Sequence, residues 1–305
     1  MASTRISNLG NLIYAGSKLV FKEALKKQRV MEYPDIVLPK TSDKQQEYYQ
    51  TVGNIPVAQI KPEGAPISTS RIDWKDQTTV TNQTVANGFS ASLEATKDDL
   101  YGVVDMAKAE GLVRSMIAKK ELMVAAMYNG AFADTGGDGV ATISDSHPLK
   151  NSASVNDNLV TGGLTTANIK AGLNQFNVIL DQAGTQFDTA ATHLVINKDK
   201  LFDAMELFQS ALLAFELSNT TNSIKGALKI VPNRRLTINR TTGVAPWFML
   251  DKSLPDCGLI LQEREGISTD YEFDLSTLQF NFYTFERYGL GFISAGYGIV
   301  GSAGT

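Results

Sequence analysis

The chain has 305 residues, 43% of them apolar, with a formal net charge of -4 and a pI near 5.3. That length and apolar content supply a real buried core for one large domain or two ordinary ones. The acidic balance excludes the globally basic profile of a histone-like or free nucleic-acid-binding protein, so any contact with nucleic acid is local.

Ser7 is placed to cap a helix whose apolar positions Leu9, Leu12, Ile13, Leu19 and Val20 recur at helical spacing to about Gln28. Lys18, Lys22, Lys26 and Arg29 fall on the opposite face as a basic stripe, which reads either as a solvated face or as a contact for packaged nucleic acid or an acidic partner segment. Lys18 interrupts the apolar run and no small-residue cleavage site follows, so a secretory signal is not expected. Pro34 and Pro39 then end regular structure and lead into extended chain.

From Gly53 to Leu93 the composition predicts a long two-stranded hairpin. Ile55, Val57 and Ile60 lead in, the cluster Lys61-Pro62-Glu63-Gly64-Ala65-Pro66 forces the reversal, and Ile72, Trp74, Val80 and Val85 lead away. A hairpin with so few large apolar residues is marginal in water by itself and needs a partner surface. Thr96 to Asp99 resembles a capping box. From there Leu100, Val103, Val104, Ala107, Val113, Met116, Ile117, Val124 and Met127 keep a 3.6-residue stripe, predicting a helix to Asn129-Gly130. Gly111 interrupts it, at about 1 kcal/mol relative to Ala, so a close backbone contact is expected there.

The serine- and asparagine-rich stretch Asn151 to Gly163 reads as a boundary. Beyond it, Thr165 or Thr166 opens a helix to about Asp181, His193 to Ile196 is a strand, and Asn197 caps a helix bearing Leu201, Ala204, Met205, Phe208, Leu212 and Phe215. Strands are predicted at Leu228 to Val231, Leu236 to Ile238, Trp247 to Leu250 and Gly258 to Gln262, giving a compact α/β or α+β unit. Tyr271, Phe273 and Leu275, then Phe280 and Phe282, then Tyr288, Leu290 and Phe292 return to strand character and need the earlier helix and hairpin as a partner. The uncharged run Tyr288 to Thr305 carries Gly289, Gly291, Gly296, Gly298, Gly301 and Gly304, which suit a strand with a loose tail better than a lipid-facing helix.

The residues that could carry chemistry fall short of each pattern tried. Asp134, Asp138, Gly139 and Asp145 match positions of a calcium loop, but Gly136 replaces one ligand and Asp145 the bidentate glutamate. Asp134-Thr135-Gly136 copies the aspartic-protease triplet, and no second copy supplies the paired carboxylate. Cys257 is the single cysteine, excluding an intrachain disulfide and a four-thiolate zinc site and fitting a protein made in reducing cytoplasm. With His147 and His193 it could suggest a thiol nucleophile and base, yet Cys257 and His193 both border apolar runs and read as packed residues. No catalytic residue, metal or cofactor is expected.

Four stretches in order, Asp98-Asp99-Leu100-Tyr101-Gly102, Asn129-Gly130-Ala131-Phe132, Asp138-Gly139 through Ser146-His147-Pro148-Leu149, and Arg287-Tyr288-Gly289 with Tyr297-Gly298, resemble tailed-bacteriophage major capsid proteins. The resemblance is to the Hong Kong 97-type fold and most of all to the major head subunits of Mu-like phages. It departs at Ala141-Thr142-Ile143, where relatives often carry a Leu-Phe pair. The resemblance implies an α+β fold in five parts: an N-terminal arm (1–35), an extended-loop hairpin with flanking strands (36–95), a peripheral domain with a long spine helix (96–160), an axial α/β domain (161–265), and C-terminal strands of the peripheral domain (266–305). It further implies a self-assembling icosahedral head subunit, built as hexamers and pentamers around DNA in the virion and assembled in the host bacterial cytoplasm. A separate scaffolding protein, since no long fused scaffolding segment precedes the arm, with portal and decoration proteins, would be its partners, and no membrane. Lys18, Lys22, Lys26 and Arg29 would face the interior. An encapsulin-type compartment would share the fold, and a small-oligomer hydrolase is the rival outside the class.

Overall fold

A long helix and two four-stranded sheets share one core in the computed structural model, which describes residues 23, 31–52, 57–69, 74–94, 98, 103–149, 153–210, 221–293 and 296–305. The helix, α1, spans Val103–Gly130. Its buried positions Leu112, Val113, Met116, Ile117, Val124, Ala125 and Tyr128 repeat at helical spacing, and the same stripe carries two buried charges, Lys120 and Glu121. Tyr128 sits at the centre of the core, 5.2 Å from the Phe248 ring and 5.5 Å, edge-on, from Phe292. Its hydroxyl donates to the Ile36 carbonyl at 2.6 Å.

The first sheet has the order β1-β10-β11-β4, with β1 Leu38–Thr41, β10 Gly258–Asp274, β11 Gln279–Ile293 and β4 Gln83–Ser92. β1 runs parallel to β10, and the β10–β11–β4 pairs are antiparallel. The β10–β11 register slips twice, between Glu263 and Glu265 and between Glu265 and Ser268. These bulges divide the sheet into an inner half beside the core and an outer half whose Asn87 donates to Ser115 of α1. The second sheet has the order β12-β9-β7-β8, from β12 Ile299–Ser302, β9 Trp247–Leu250, β7 His193–Asn197 and β8 Lys229–Asn233. Against it pack α2 (Thr166–Val178), capped by the Thr165 side chain, and α3 (Leu201–Gln209), which buries Ala204, Leu207 and Phe208. Asn197 caps the short 3-10 turn leading into α3, accepting from the Asp199 amide at 2.8 Å.

Several expectations change. The hairpin strands are β2 (Gln46–Val52) and β3 (Trp74–Thr81), while Val57–Ile60 lie in an irregular loop and Val85 belongs to β4. Pro62 and Pro66 remove ladder donors from that loop. The reversal itself stands where the proline-glycine cluster put it, with Gly64 at φ +76° and the Ala65 amide donating to the Pro62 carbonyl. The cap at Thr96 lies outside the described residues, and Asp98 is in a bend. Gly111 is exposed with no described neighbour near its would-be Cβ, so the expected close contact is not there.

The stretch after Asn151 is no loose linker. Its β6 (Val155–Asn156) pairs with β5 (His147–Pro148), and Asn158 and Val160 are buried. Leu236–Ile238 form no strand; Leu236 plugs the shared core from a turn. Gly258–Gln262 open β10 in the first sheet instead of closing the second unit, and β10 runs unbroken across the expected boundary at 265/266. β12 belongs to the second sheet instead of the first, and the tail beyond it is packed: Gly304 presses on the Ala245 backbone, leaving no room for a side chain. Among the described residues no helix is long and apolar enough to cross a membrane.

Candidate assembly interface

The extended hairpin is fixed at its base and open at its tip. At the base, Val80 of β3 is buried between Ile260 and Ile293 of the first sheet. It fits because β11 carries Gly289 and Gly291 beneath it: a Cβ on either would lie 2.7 Å and 2.6 Å from the Val80 methyls. The Arg287-Tyr288-Gly289 motif thus has a physical reading, a groove in one strand for a side chain from the hairpin. Beside this wedge runs a polar chain. Tyr49 of β2 donates to Gln262 at 2.8 Å, Gln262 donates to Asn82 at 2.9 Å, and Asn82 donates to the Lys44 carbonyl at 2.8 Å and to Ser42 at 3.2 Å. Gln262 and Asn82 are buried, so these bonds satisfy groups that would otherwise be costly there.

At the tip, Val57, Ile60 and Ile67 are 69%, 98% and 77% exposed. Nothing described in the chain covers them.

The loop after α1 braces the hairpin from the other side. Asp134 to Thr142 close a tight turn, with the Gly136 amide on the Val140 carbonyl at 2.7 Å, the Thr142 amide on the Asp134 carbonyl at 3.1 Å and Gly139 at φ +86°. Gly137 leaves no room for a Cβ against Thr78 of β3, whose hydroxyl would be 2.7 Å away. Asp138 turns inward to His147 (Oδ2 to Nδ1, 2.5 Å), and the other ring nitrogen faces Asn158 Oδ1 at 3.2 Å. Asn158 also accepts from the Ser144 amide and donates to the Thr142 carbonyl. Asp138 is therefore spent on holding the loop, while Asp145 is exposed, and the calcium-like spacing does not converge on one point. Ile143, at the departure from the family pattern, is buried in the shared core.

The root of the N-terminal arm is held by charges. Glu32 receives the Arg234 amide and Nε, both at 3.1 Å, and its own amide donates to Glu121 at 3.0 Å; Glu121 in turn pairs with Arg235. Asp35 pairs with Lys229 at 2.9 Å, which lowers its carboxyl below the usual range, and Lys252 donates to the Pro34 carbonyl at 3.0 Å. His193 lies beside this cluster instead of in the core; burial, then Lys252 and Lys229, push its imidazole below its ordinary pKa. Burial and the carboxylates Glu263, Glu286 and Glu121 push Tyr33 up to about 12. Lys18, Lys22, Lys26 and Arg29 lie outside the described residues. Cys257 is half-buried, against Gly298 of the Tyr297-Gly298 motif.

Two features escaped the sequence reading. The amide pair Asn82 and Gln262, neutral and far apart in the chain, leaves no pattern to find. Lys120 and Glu121 did leave one, because two charges on the buried stripe of a long helix demand partners. The partners are Glu286, 2.8 Å from Lys120, and Arg235.

Comparison with known proteins gives one family: the sequence pattern described as phage capsid protein matches residues 75–299. No curated protein sequence matches. Among solved structures, the capsid of cyanophage P-SCSP1u superposes with a TM-score of 0.61 at 9% identity, over 90% of this chain and 88% of that one. The cyanophage Pam1 capsid gives 0.57 at 13%, over 91% and 93%. The holo-SrpI encapsulin complex from Synechococcus elongatus PCC 7942 gives 0.53 at 10%, over 92% and 90%.

Proposed function

This chain belongs to the phage capsid protein family, and from that membership we propose how it builds its shell. It is a major capsid protein of a phage-like shell, with an α+β fold of the Hong Kong 97 type. The role is structural and not enzymatic, and it is carried out as a homo-oligomer in the capsid of the virion.

The loop 57–69 is the part of the subunit made for a neighbour. Its three exposed aliphatic side chains are worth roughly 1.5–3 kcal/mol apiece once covered. Many copies, grouped as hexamers and pentamers, bury this loop and the N-terminal arm on adjacent subunits, so that repeated heterologous contacts close into an icosahedral shell. The helix-sheet layer around α1 forms the peripheral part of each capsomer and the second sheet, with α2 and α3, the axial part. Lys18, Lys22, Lys26 and Arg29 face the interior and contact DNA phosphates or an acidic segment of a scaffolding protein. Portal and decoration proteins complete the partners, and the motifs resemble those of Mu-like head subunits. The observation that carries this reading is the family match over most of the chain together with an anchored hairpin whose apolar tip no described residue covers.

Sedimentation and electron microscopy of the purified protein, with and without a co-expressed scaffolding protein, test it. Megadalton shells holding nuclease-protected DNA are expected. A concentrated sample that stays monomeric or dimeric under every assembly condition refutes the reading. The encapsulin likeness supports a second one, a compartment shell, whose particles would hold protein cargo and no protected DNA.

A further inference from the structure

Where the first sheet breaks register, a buried lysine of α1 meets carboxylates from both of its long strands. Lys120 is 4% exposed and Glu286 not at all. The Lys120 ammonium lies 2.8 Å from Glu286 Oε2 and 3.9 Å from Glu263 Oε1, and 4.8 Å and 5.9 Å from the Tyr288 and Tyr33 ring centres. The Lys120 ammonium is the one described partner of the Glu286 carboxylate, whose oxygens are otherwise buried without a hydrogen bond. Two carboxylates therefore share one cation, Glu286 closed off from water and Glu263 half-exposed at the rim. Glu263 borders the first register slip, and Glu286 falls within the β11 stretch that faces the two slips.

We propose that Lys120, Glu263 and Glu286 form a proton-dependent latch that holds the outer half of the first sheet against the long helix. A buried carboxylate is expensive, and one shared cation offsets only part of the cost. Taking up a proton on Glu286 removes the excess negative charge and leaves Lys120 to Glu263 and the two rings.

The groups facing the site are Lys120 and, one residue on, Glu121 from α1, Glu263 from β10, Tyr288 from β11 and Tyr33 from the arm root. Glu121 is already committed to Arg235, and the Tyr288 hydroxyl donates to Met123. Burial, opposed by the hydrogen bond and charge of Lys120 and reinforced in small part by Glu263, pushes the Glu286 carboxyl above its ordinary range. The latched state thus binds the proton more tightly than an opened, hydrated one. Latching is strongest below the ordinary glutamate pKa and weakens as pH rises through the raised value. Each unit of displacement changes the population of the open state about tenfold across that window.

Hydrogen exchange of the full-length, unassembled subunit tests this, following peptides within residues 268–285 between pH 4 and 8, corrected for intrinsic exchange. Peptides within α2, residues 166–178, serve as reference. The parent should open the outer strands several-fold more often at pH 8 than at pH 4, relative to the reference. Glu286→Gln should be flat at the parent's acid value. Glu263→Gln, a half-exposed site that tolerates change, should move the transition to lower pH. A parent profile without pH dependence overturns the latch, whether or not the variants fold. So does a folded Glu286→Gln variant that keeps the dependence, or a Glu263→Gln variant whose transition stays in place.

Discussion

Val80 and Gly291 are expected to be energetically coupled, because one fills the space that the other leaves. A Cβ at Gly291 would sit 2.6 Å from a Val80 methyl, close to 1 Å inside the 3.4 Å at which ordinary contact begins. Overpacking of this kind costs about 1–3 kcal/mol, so Gly291→Ala should destabilise the subunit by that amount. Val80→Ala removes two methyls from a side chain that is 1% exposed. At about 0.8 kcal/mol per group plus a cavity contribution, it should cost about 2–3 kcal/mol.

In the double variant the new methyl enters the vacated space, and the combined loss should fall short of the sum by at least about 1 kcal/mol. Gly289→Ala is the control. Its Cβ would meet the Thr81 carbonyl oxygen at 2.9 Å as well as Val80, and that backbone atom stays when Val80 is trimmed, so little rescue is expected. Urea unfolding of the dilute, unassembled subunit supplies all the free energies. Additivity of Val80→Ala and Gly291→Ala within about 0.5 kcal/mol would refute the wedge-and-groove account of the hairpin base.

Gly111→Ala should raise the stability of the unassembled subunit by up to about 1 kcal/mol, since the position is helical, exposed and uncrowded; a loss on thermal unfolding would reveal a contact not described here. His193, held below its ordinary pKa, makes the folded chain bind fewer protons than the unfolded one. Its contribution is therefore present above the ordinary imidazole pKa and is lost as pH falls through the depressed one, and His193→Gln should flatten that part of the stability-pH curve. Changing Lys18, Lys22, Lys26 and Arg29 together to glutamine keeps helix propensity and should lower DNA retention or scaffold-dependent assembly, with a shallower salt dependence; unchanged packaging over a range of salt would make the stripe a solvated face.

Local periodicity carried most of the fold. The stripe from Val113 to Met127, the Thr165 cap, the strands at His193 and Trp247 and the reversal at Gly64 were all legible, because each follows from contacts within a few residues. What failed depended on distant partners. Gly258 to Gln262 look like one more strand of an α/β unit, and only pairing with Leu38–Thr41 and with β11 assigns them to the first sheet. Val57 to Ile60 have β-forming residues and no ladder, whereas Gln46–Val52, less apolar, find one with β3. Gly111 was misread because a helical glycine was assumed to need a tertiary reason. For the candidate interface, the hairpin and its exposed aliphatics were visible, the glycine groove was visible only as glycines, and the buried amides and carboxylates were not visible at all.

The placement of polar and apolar groups along the hairpin runs opposite to the usual order, and this bears on how a shell sets its curvature. Its base is buried, with Asn82, Gln262 and Tyr49 in a directional chain and Val80 in a fitted groove; its tip is apolar and covered by no described residue. Hydrogen bonds between buried groups tolerate little angular change, so the base fixes the direction in which the loop leaves the subunit. Aliphatic contact is non-directional and scales with area, so the tip adapts to whichever neighbour it meets. On the proposed assembly, substitutions at Asn82 or Gln262 should alter the size or regularity of the particles. Substitutions at Ile60 or Ile67 should leave geometry intact and raise the concentration at which particles form. Electron microscopy of shells from the two classes separates these outcomes, and the same defect from both would remove the division of labour.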